Sequence, residues 1–544
     1  MNPRIAGKQG IGGRLRMAGR GLRDLRRFLA DPLTPAAARA SIVTRLDNRD
    51  ELLIDLVRDA VYGHLNSPYL PLLRHAGCEF GDFVRLVRSE GAETALNQLA
   101  TEGVYVSVEE FKGRVPIVRG GLTVKVGAGD FDNPHLAPHI ESQTGGGRGP
   151  GTRVAYELGF LAESWATHLA IGFEALGMDN RVPYGMWLPT RPGAGPVVLL
   201  AHTKCGFPPT QWFSPLTPHG FRPSMWNRLS AHGLLGLGRL YGVGWPRPEY
   251  VALGDAGRVA LWIHTQLQRE GGCWFNSYTG TAVRVCQAAV RAGLDLSGAT
   301  FLFGGEPLTE AKHAAVIRAG VTRQLVMYGS MDAGYLGLSC FHGQRCDEVH
   351  LFDDAFAFIE RTRQVAHAGV SVKALLASSL LPMAPKVLLN VEIGDFGVLS
   401  RRPCGCVWEQ MGLTRHLHTI RSFDKLTSEG MTFVGTDFVR VLEEVLPEQF
   451  GGGPGDYQMI EEEDQTGRTR VSIVVRPEIG HIDQKRLIQT VLSALSQGQD
   501  SHRMMARIWS ESGTLRVLRE QPFVTTAGKV LPLHIRGAPP GQRP

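Results

Sequence analysis

Between residues 151 and about 335 the sequence alternates short apolar runs with amphipathic segments, and this alternation limits the fold more than any other feature. The runs GPVVLLAH, ATFLFGG and RQLVMYG have the length of buried strands. Between them, TAVRVCQAAVRAGL and TEAKHAAVIRAG carry apolar residues at helical spacing. Because parallel strands are joined by helical crossovers, the pattern predicts an α/β fold.

The rest of the chain divides around this region. Residues 35–112 show helical patterning, and residues 351–400 hold further strand-like runs. Near residue 420 the pattern changes to RTRVSIVVRP, DQKRLIQTVLSALSQ and GTLRVLREQPF, which together indicate a small α+β domain. We therefore predict a basic tail over 1–34, a large N-terminal α/β domain with a helical N-terminal segment over 35–420, and a small C-terminal α+β domain over 421–544.

Much of the positive charge of the chain lies at its N-terminus. Before residue 30, one acidic residue, Asp24, faces the basic residues Arg4, Lys8, Arg14, Arg16, Arg20, Arg23, Arg26 and Arg27. Such a segment either contacts nucleic acid or anionic lipid, or is a frayed basic tail. The other charges are mixed and the net charge is +6, so the sequence does not indicate a nucleic-acid-binding protein.

Other protein classes are excluded by what the sequence lacks. It has no run of about 18 apolar residues, so we expect no membrane span. It has no apolar leader with a cleavage-like site, so we expect a cytoplasmic protein. In that compartment eight cysteines do not indicate a disulfide framework.

A glycine-rich stretch, TGGGRGPGT at 144–152, precedes VAYELGFLAESWATHLAIGFEAL, which we expect to be an amphipathic helix. Unscreened backbone N–H groups converge readily on an anion, and a helix N-terminus adds positive partial charge. A triphosphate would be bound by Thr144, Gly145, Gly146, Gly147, Arg148 and Thr152. The stretch matches neither the Walker P-loop nor the dinucleotide fingerprint, and taken alone it is more typical of a surface loop.

Four further stretches carry polar residues on expected turns, and the first two follow apolar strands, where an α/β sheet can bind a ligand. The residues are Gly304, Gly305, Glu306 and Pro307 in FLFGGEPLTEAK, Tyr328, Gly329, Ser330 and Asp332 in LVMYGSMDAG, Asp395 between two glycines in EIGDFG, and Lys529 in FVTTAGKV. We expect a turn at Asp395 because of its flanking glycines. Each motif is weak alone, whereas their order and spacing together are specific.

With these motifs in this order, the sequence resembles the adenylate-forming superfamily of acyl-activating enzymes. It is most similar to the phenylacetate–coenzyme A ligase-like branch, which includes acyl-protein synthetase-like members, over roughly residues 50–535. The resemblance implies the adenylate-forming enzyme fold, with a small mobile C-terminal domain. It also implies that a small-molecule carboxylate reacts with ATP and Mg²⁺ to give an acyl-adenylate and pyrophosphate, and that a thiol then takes the acyl group.

The resemblance gives each motif a role. TGGGRGPGTRV is similar to the loop that holds the β- and γ-phosphates, and GGEPL to the turn that lines the adenine. YGSMDAG resembles Tyr-Gly-x-Thr-Glu, in which the Tyr stacks by the adenine, the Thr touches phosphate and the Glu binds magnesium. Asp395 and Arg421 match residues that bind ribose, Asp424 in IRSFDKL matches the hinge pivot, and Lys529 matches the lysine that supports adenylation.

The sequence departs from the family pattern in four places. Met331 replaces the usual Thr and removes a hydroxyl, and Asp332 is one methylene shorter than the usual Glu, so a magnesium contact would need a bridging water. Arg148 stands where the loop usually has a lysine, and IRSFDKL lacks the usual Gly-Arg opening. These changes leave a non-catalytic nucleotide-binding or scaffold relative as an alternative.

Four of the cysteines bracket one region. Cys404 and Cys406 offer two thiolates, His350 an imidazole, and either Cys340 or Cys346 a fourth ligand, which suits a structural Zn²⁺ site. In the resembling branch a Cys and a His after the Tyr-Gly motif and a later Cys-x-Cys form such a site, and Cys340 falls at that cysteine, with Cys346 as the alternative. Four unligated thiols are the other interpretation.

We therefore expect an AMP-forming acid–thiol ligase with Lys529 and Asp332 as its catalytic residues. The acceptor is either coenzyme A or the thiol of a carrier or acceptor protein, the second being the activity of an acyl-protein synthetase.

Overall fold

The structure is a computed structural model. It describes residues 11–143, 153–190, 193–215, 225–306, 308–365, 370–422, 426–428, 431–433, 440–453, 455–463, 469–497, 506–507, 509–523 and 533–535.

Helices make up most of the N-terminal part and recur between the strands that follow. Their bounds are α1 (Ile11–Ala30), α2 (Pro35–Asp47), α3 (Arg49–Val57), α4 (Tyr69–His75), α5 (Phe80–Glu90), α6 (Ala92–Thr101), α7 (Val108–Phe111), α8 (Leu158–Phe160), α9 (Thr167–Ala175), α10 (Gly195–Lys204), α11 (Met225–Leu240), α12 (Ala256–Glu270), α13 (Thr279–Arg291), α14 (Glu310–Arg318), α15 (Val407–Gln410), α16 (Leu446–Phe450) and α17 (Gln484–Ser496).

The strands form one large sheet and several small ones. Their bounds are β1 (Ile117–Arg119), β2 (Leu122–Val124), β3 (Ile140–Gln143), β4 (Arg153–Tyr156), β5 (Tyr184–Trp187), β6 (Gln211–Ser214), β7 (Glu249–Tyr250), β8 (Cys273–Tyr278), β9 (Ala299–Gly304), β10 (Arg323–Ser330), β11 (Gly334–Ser339), β12 (Val349–Leu351), β13 (Phe356–Val365), β14 (Val370–Ser379), β15 (Val391–Arg401), β16 (Arg415–Ser422), β17 (Leu426–Ser428), β18 (Met431–Phe433), β19 (Tyr457–Glu463), β20 (Thr469–Val475), β21 (Leu515–Arg519) and β22 (Leu533–Ile535).

The large sheet has 12 strands in the order β13-β14-β15-β16-β12-β11-β10-β9-β8-β5-β6-β7. From β7 to β10 neighbouring strands pair in parallel, and from β10 to β13 they pair antiparallel. The helices α13 and α14 are the crossovers from β8 to β9 and from β9 to β10, and every residue of β9 is buried. This parallel half is the α/β architecture that the sequence predicts, and the carboxyl ends of β9 and β10 carry two of the predicted motifs.

Two sequence predictions that distinguish a helix from a strand are wrong. GPVVLLAH is not a strand but forms most of α10, all ten residues of which are buried. A helix with no exposed face shows no helical periodicity, so an apolar run of that length does not separate helix from strand. Pro196 in the first turn was the available signal, because proline is favoured there. The sequence predicts that the residues VAYE begin a helix. The first three belong to β4, Glu157 precedes the helical segment, and that segment begins at Leu158.

The N-terminal basic segment is not frayed over its described part. Residues 11–30 form α1, whose side chains Met17, Leu25 and Phe28 are buried while Arg16, Arg23, Arg26 and Arg27 are exposed. Arg20 donates to the backbone oxygen of Pro138 at 3.0 Å, and Asp24 lies 2.9 Å from the ring of His139. The helix therefore buries its apolar side, contacts β3, α8 and α10, and presents arginines outward.

Two buried ion-pair groups join the N-terminal helices to the large sheet. Arg45 of α2 pairs with Asp354 at 2.6 Å, and His168 of α9 contacts the same carboxylate at 3.0 Å. Burial raises the pKa of Asp354, but His168 and Arg45 more than offset this and bring it to about 2. Arg415 of β16 pairs with both Asp353 and Glu93.

A separate sheet of four strands lies near the C-terminus, in the order β21-β20-β19-β22, with α17 packed on β21. The side chains Leu487 and Val491 of α17 are buried. Arg284 of α13 donates to the backbone oxygen of Ser512 at 3.1 Å, which joins this part to the large sheet's helices. The division that we predict between residues 35–420 and 421–544 stays a prediction, because parts of 421–544 lie outside the described ranges. Within the described ranges, no helix has both the length and the apolar character needed to cross a membrane.

Candidate active site

The aromatic ring and the carboxylate that the motifs single out lie against each other. Tyr328, near the end of β10, donates through its hydroxyl to Asp395 Oδ2 at 3.3 Å, although β15 is distant in sequence. Ser422, the last residue of β16, donates to Asp395 Oδ1 at 2.5 Å. Burial, and then the charge of Asp395, raises the pKa of Tyr328, so the phenol stays protonated and remains a donor.

Asp395 lies within a strand, where the sequence predicted a turn. The pairing of β15 with β16 shifts register between Phe396 and Val398, which is the signature of a bulge. Gly394 has φ of 92°, and a Cβ on Gly397 would lie 2.8 Å from the backbone oxygen of His418. The two glycines therefore serve a bulge and a close backbone approach rather than a turn, and bulges re-aim side chains.

Arg421 lies in β16 beside Ser422, which stands opposite Asp395 in the register. Its guanidinium contacts Asp347 Oδ2 at 3.4 Å and donates to the backbone oxygen of Ile420 at 2.7 Å. Asp347 also accepts from the backbone N–H groups of Thr419 and Ile420, at 3.0 and 3.1 Å. Sequence reasoning missed Asp347, since it belongs to no motif and reaches this strand only through the fold.

The predicted turn after β9 is beside Tyr328 because β9 and β10 are parallel neighbours, with Gly304 opposite Met327. A Cβ on Gly304 would lie 2.2 Å from the backbone oxygen of Met327, so only glycine fits there. Gly305 has φ of 76°. The carboxylate of Glu306 is buried and pairs with Lys312 of α14 at 3.2 Å. Pro307 lies outside the described residues.

The turn after β10 holds a second buried carboxylate. Asp332 Oδ2 pairs with the ammonium of Lys112, which follows α7, at 2.5 Å. Asp332 Oδ1 is buried and has no hydrogen-bond partner among the described residues. Burial lowers the pKa of Lys112, although Asp332 opposes the shift. Ser330 is used locally, because its hydroxyl accepts from the N–H of Ala333 at 3.2 Å.

Lys112 is a residue of the candidate site that the sequence analysis missed. Its position depends on Gly113, which has φ of 68° and on which a Cβ would lie 2.5 Å from the N atom of Ala128. The glycine ends α7 and was the available signal for a tight turn, but nothing in the sequence links it to Asp332, 220 residues further on.

The candidate phosphate-binding residues Thr144, Gly145, Gly146, Gly147, Arg148 and Thr152 lie outside the described residues, as do the hinge residue Asp424 and the catalytic candidate Lys529. The flanking strands are described: β3 and β4 pair antiparallel, with Gln143 opposite Arg153. Tyr156, at the end of β4, donates through its hydroxyl to the backbone oxygen of Met331. The two strands that flank the glycine-rich residues are therefore connected by this hydrogen bond to the turn that carries Asp332.

The four predicted zinc ligands come together. Ligand atoms of Cys340, His350, Cys404 and Cys406 all lie within 4.8 Å of one another. The ring atom Nε2 of His350 is 3.4 Å from Cys404 Sγ and 3.1 Å from Cys406 Sγ. On its other side, Nδ1 lies 2.8 Å from the backbone oxygen of Leu413, the contact that would direct a lone pair on Nε2 at a metal.

The electrostatics of this group suit a cation. A hydrogen bond from the thiol of Cys340, together with His350, lowers the pKa of Cys406, while the same bond raises the pKa of Cys340. Cys346, the alternative ligand, lies elsewhere: its thiol donates to the backbone oxygen of Leu308 at 3.4 Å, close to Glu310 and His313.

Comparison with known proteins finds similarity in the fold and not in the sequence. No family model and no curated protein matches the sequence. Among solved structures, a 2-hydroxyisobutyryl-CoA ligase in complex with 2-HIB-AMP and CoA matches at a TM-score of 0.51 with 13% identity, covering 93% of this chain and 91% of that chain. An amide bond synthetase, McbA from Marinactinospora thermotolerans, matches at a TM-score of 0.40 with 14% identity, covering 90% of this chain and 93% of that chain.

Proposed function

We propose, on the premise that the chain has the fold of the adenylate-forming enzymes, that it activates a small carboxylic acid with ATP and passes the acyl group to a thiol. The observation that carries the proposal is the convergence of Tyr328, Asp395 and Ser422 from three strands of the large sheet. Hydroxyl donors hold the Asp395 carboxylate in place, so it is ready to accept from the two hydroxyls of a ribose.

In this proposal the protein acts by positioning and charge. Attack of a carboxylate on the α-phosphorus forms the acyl–phosphate bond and releases pyrophosphate, a step that gains mainly from orientation and electrostatic stabilisation. Tyr328 and Gly304–Glu306 would line the adenine, and Asp395 and Arg421 would orient the ribose. The glycine-rich residues 144–152 would hold the leaving pyrophosphate, and Lys529 would neutralise charge at the reacting phosphate.

The residues at the end of β10 fit a magnesium ion. Asp332 Oδ1 is a buried carboxylate oxygen without a hydrogen-bond partner among the described residues, and Mg²⁺ prefers such oxygens together with waters and phosphates. Bound there, the ion would neutralise phosphate charge. Lys112 pairs with the other oxygen and would compete with the ion for the charge of the carboxylate.

We further propose that Cys340, His350, Cys404 and Cys406 bind a structural Zn²⁺. Three sulfurs and one nitrogen are a closed tetrahedral set, and three of the four residues are buried. The ion would join the end of β11 and the strand β12 to the segment before α15. Its role is therefore to stabilise the fold near Trp408 and not to contact substrate.

Pyrophosphate exchange with a panel of carboxylic acids tests the enzyme assignment. We expect at least one acid to drive acid-dependent incorporation of labelled pyrophosphate into ATP, and Asp395→Asn to reduce the rate, since an amide cannot accept from both ribose hydroxyls. Addition of coenzyme A or of a carrier protein then identifies the thiol. Absence of exchange with every acid, in a protein that binds ATP, would contradict the enzyme assignment.

A non-catalytic nucleotide-binding protein is the second candidate, and one observation favours it. The carboxylate that would hold magnesium is already paired with a lysine, and Met331 offers no hydroxyl to phosphate. This protein would bind ATP with an affinity that does not depend on Mg²⁺ and would release no acyl-adenylate. Mass spectrometry of the nucleotide recovered after incubation with ATP and cell extract separates the two candidates.

A further inference from the structure

A second group of metal-binding side chains lies apart from the four zinc candidates. Glu310 and His313 occupy the first turns of α14, and Cys346 lies between β11 and β12. One ligand atom from each lies within 4.8 Å of the other two. Glu310 is exposed, and His313 and Cys346 are half-buried, so a solvated ion can reach them. We call Glu310, His313 and Cys346 the open cluster.

The local structure holds the three side chains together. Thr309 caps α14 by accepting from the N–H of Lys312 at 3.3 Å, and the Lys312 side chain turns inward to Glu306. Glu310 and His313 are three residues apart on the helix and are therefore neighbours on its surface. Cys346 donates to the backbone oxygen of Leu308 at 3.4 Å, which keeps its sulfur at the start of the same helix.

The other end of the Cys346 segment is anchored as well. The next residue, Asp347, accepts from two backbone N–H groups of β16 and contacts Arg421. The open cluster thus lies between two fixed elements, α14 and the end of β16. This supplies the rigidity that a metal site needs, because its ligands are not carried on a free loop.

We propose that the open cluster binds one Zn²⁺ ion through the carboxylate, the imidazole and the thiolate, and leaves a fourth position to water. Sulfur, nitrogen and oxygen are all zinc donors, with bonds of about 2.0–2.3 Å, so ligand atoms on one tetrahedral ion lie roughly 3.3–3.8 Å apart. The ligand atoms now lie at most 4.8 Å apart, and side-chain rotation would bring them to that separation around an ion. The thiolate and the carboxylate balance the charge of the ion.

The site differs in kind from the four zinc candidates around His350. Three protein ligands and an accessible fourth position are the pattern of exchangeable or reactive zinc, whereas four buried ligands are the pattern of structural zinc. An ion in the open cluster would cross-link the first turn of α14, which follows the Gly304–Glu306 turn, to the segment that holds Arg421. This inference does not depend on the proposed nucleotide chemistry.

The test is zinc stoichiometry and affinity of the full-length protein. Wild type, Cys346→Ser, His313→Gln and the control Cys78→Ser, which alters a buried thiol near Tyr62, are titrated with Zn²⁺ by calorimetry, and bound ions are counted by elemental mass spectrometry. We expect wild type and Cys78→Ser to bind one more ion per chain than the two cluster variants. Loss of one ligand should weaken that site at least about tenfold.

A chemical readout accompanies the titration. Zn²⁺ should slow alkylation of Cys346, mapped by peptide mass spectrometry, in wild type and not in His313→Gln. Glu310→Gln lies at the surface and replaces Cys346→Ser if the latter does not fold. Equal stoichiometry in all variants, or alkylation of Cys346 that Zn²⁺ leaves unchanged, would overturn the proposal.

Discussion

Two lysine–carboxylate pairs lie at the ends of the neighbouring strands β9 and β10, and they differ in their exposure to solvent. Lys312 and Glu306, after β9, are 3% and 0% exposed. In the second pair Asp332 follows β10 and Lys112 follows α7; Lys112 and Asp332 are 16% and 11% exposed. One oxygen of Asp332 has no hydrogen-bond partner in the described part of the chain. We call the first pair the sealed pair, because its side chains are almost inaccessible to solvent. In the second pair Asp332 Oδ1 remains available as a hydrogen-bond acceptor or metal ligand.

This difference in exposure indicates a structural role for the pair of Lys312 and Glu306 and a cation-binding role for the pair of Lys112 and Asp332. A sealed ion pair can do little except hold α14 against β9, because neither group can turn to a ligand without leaving a buried charge behind. A pair with a spare oxygen can bind a further cation without breaking the first contact. The sequence motifs assigned Glu306 to the adenine turn and Asp332 to magnesium, and of these two carboxylates Asp332 is the one with an oxygen that has no hydrogen-bond partner among the described residues.

The largest effect should come from breaking the sealed pair. Lys312→Met removes the buried ammonium that pairs with Glu306, and removal of one partner of a buried pair typically costs about 3–5 kcal/mol. We expect the free energy of unfolding in urea to fall by that amount. A loss below about 1 kcal/mol would show that the pair is not sealed.

Asp332→Asn should affect catalysis more than stability. The amide keeps the shape of the side chain but removes the charge that would hold magnesium and oppose Lys112. Loss of one electrostatic contact of this kind commonly lowers kcat by about 10²–10³-fold. Pyrophosphate exchange measures the rate, and urea unfolding of the same preparation provides the control. An unchanged rate would mean that Asp332 is as structural as Glu306.

Lys112→Met should have a smaller effect on stability, since Asp332 lies nearer to solvent than Glu306. We expect a loss of about 1–3 kcal/mol, the range for a buried polar group without its partner. With the competing ammonium gone, the Mg²⁺ concentration that supports half-maximal ATP binding should fall. A rise in that concentration would indicate that Lys112 helps to place the ion.

An exposed pair sets the lower limit of the comparison. Arg181 and Asp179 pair at 2.5 Å, but their side chains are 86% and 36% exposed. Arg181→Gln should change the free energy of unfolding by less than about 1 kcal/mol, because solvent screens such pairs. A cost close to that of Lys312→Met would show that burial is not what distinguishes the pairs.

How much could be predicted from the sequence depended on whether the signal was local. Strands such as ATFLFGG and the crossovers after them follow from periodicity and length. The fully buried α10 did not, because burial on every side removes the periodicity on which the distinction from a strand rests.

The same limit applies to the candidate site. The spacing of the cysteines left Cys340 and Cys346 as alternatives beside His350, Cys404 and Cys406, and the family resemblance favoured Cys340, which is the one that lies in the cluster. The resemblance also implied that the Tyr328 and Asp395 motifs meet, and their side chains are in contact. Neither the bulge that carries Asp395 nor the pairing of Lys112 with Asp332 could be predicted from the sequence, because each depends on a contact between distant segments. Only the fold decides which glycine serves a turn and which serves a close approach.

The packing of α1 bears on how the protein can be shortened. A fragment beginning at residue 35 would strip Met17, Leu25 and Phe28 from the interior. It would also deprive the Lys204 ammonium of its acceptors, the backbone oxygens of Phe28 and Asp31, and of the Phe28 ring 5.2 Å away. The arginine-rich helix α1 therefore covers a buried ammonium group. Its removal would expose apolar surface and favour aggregation.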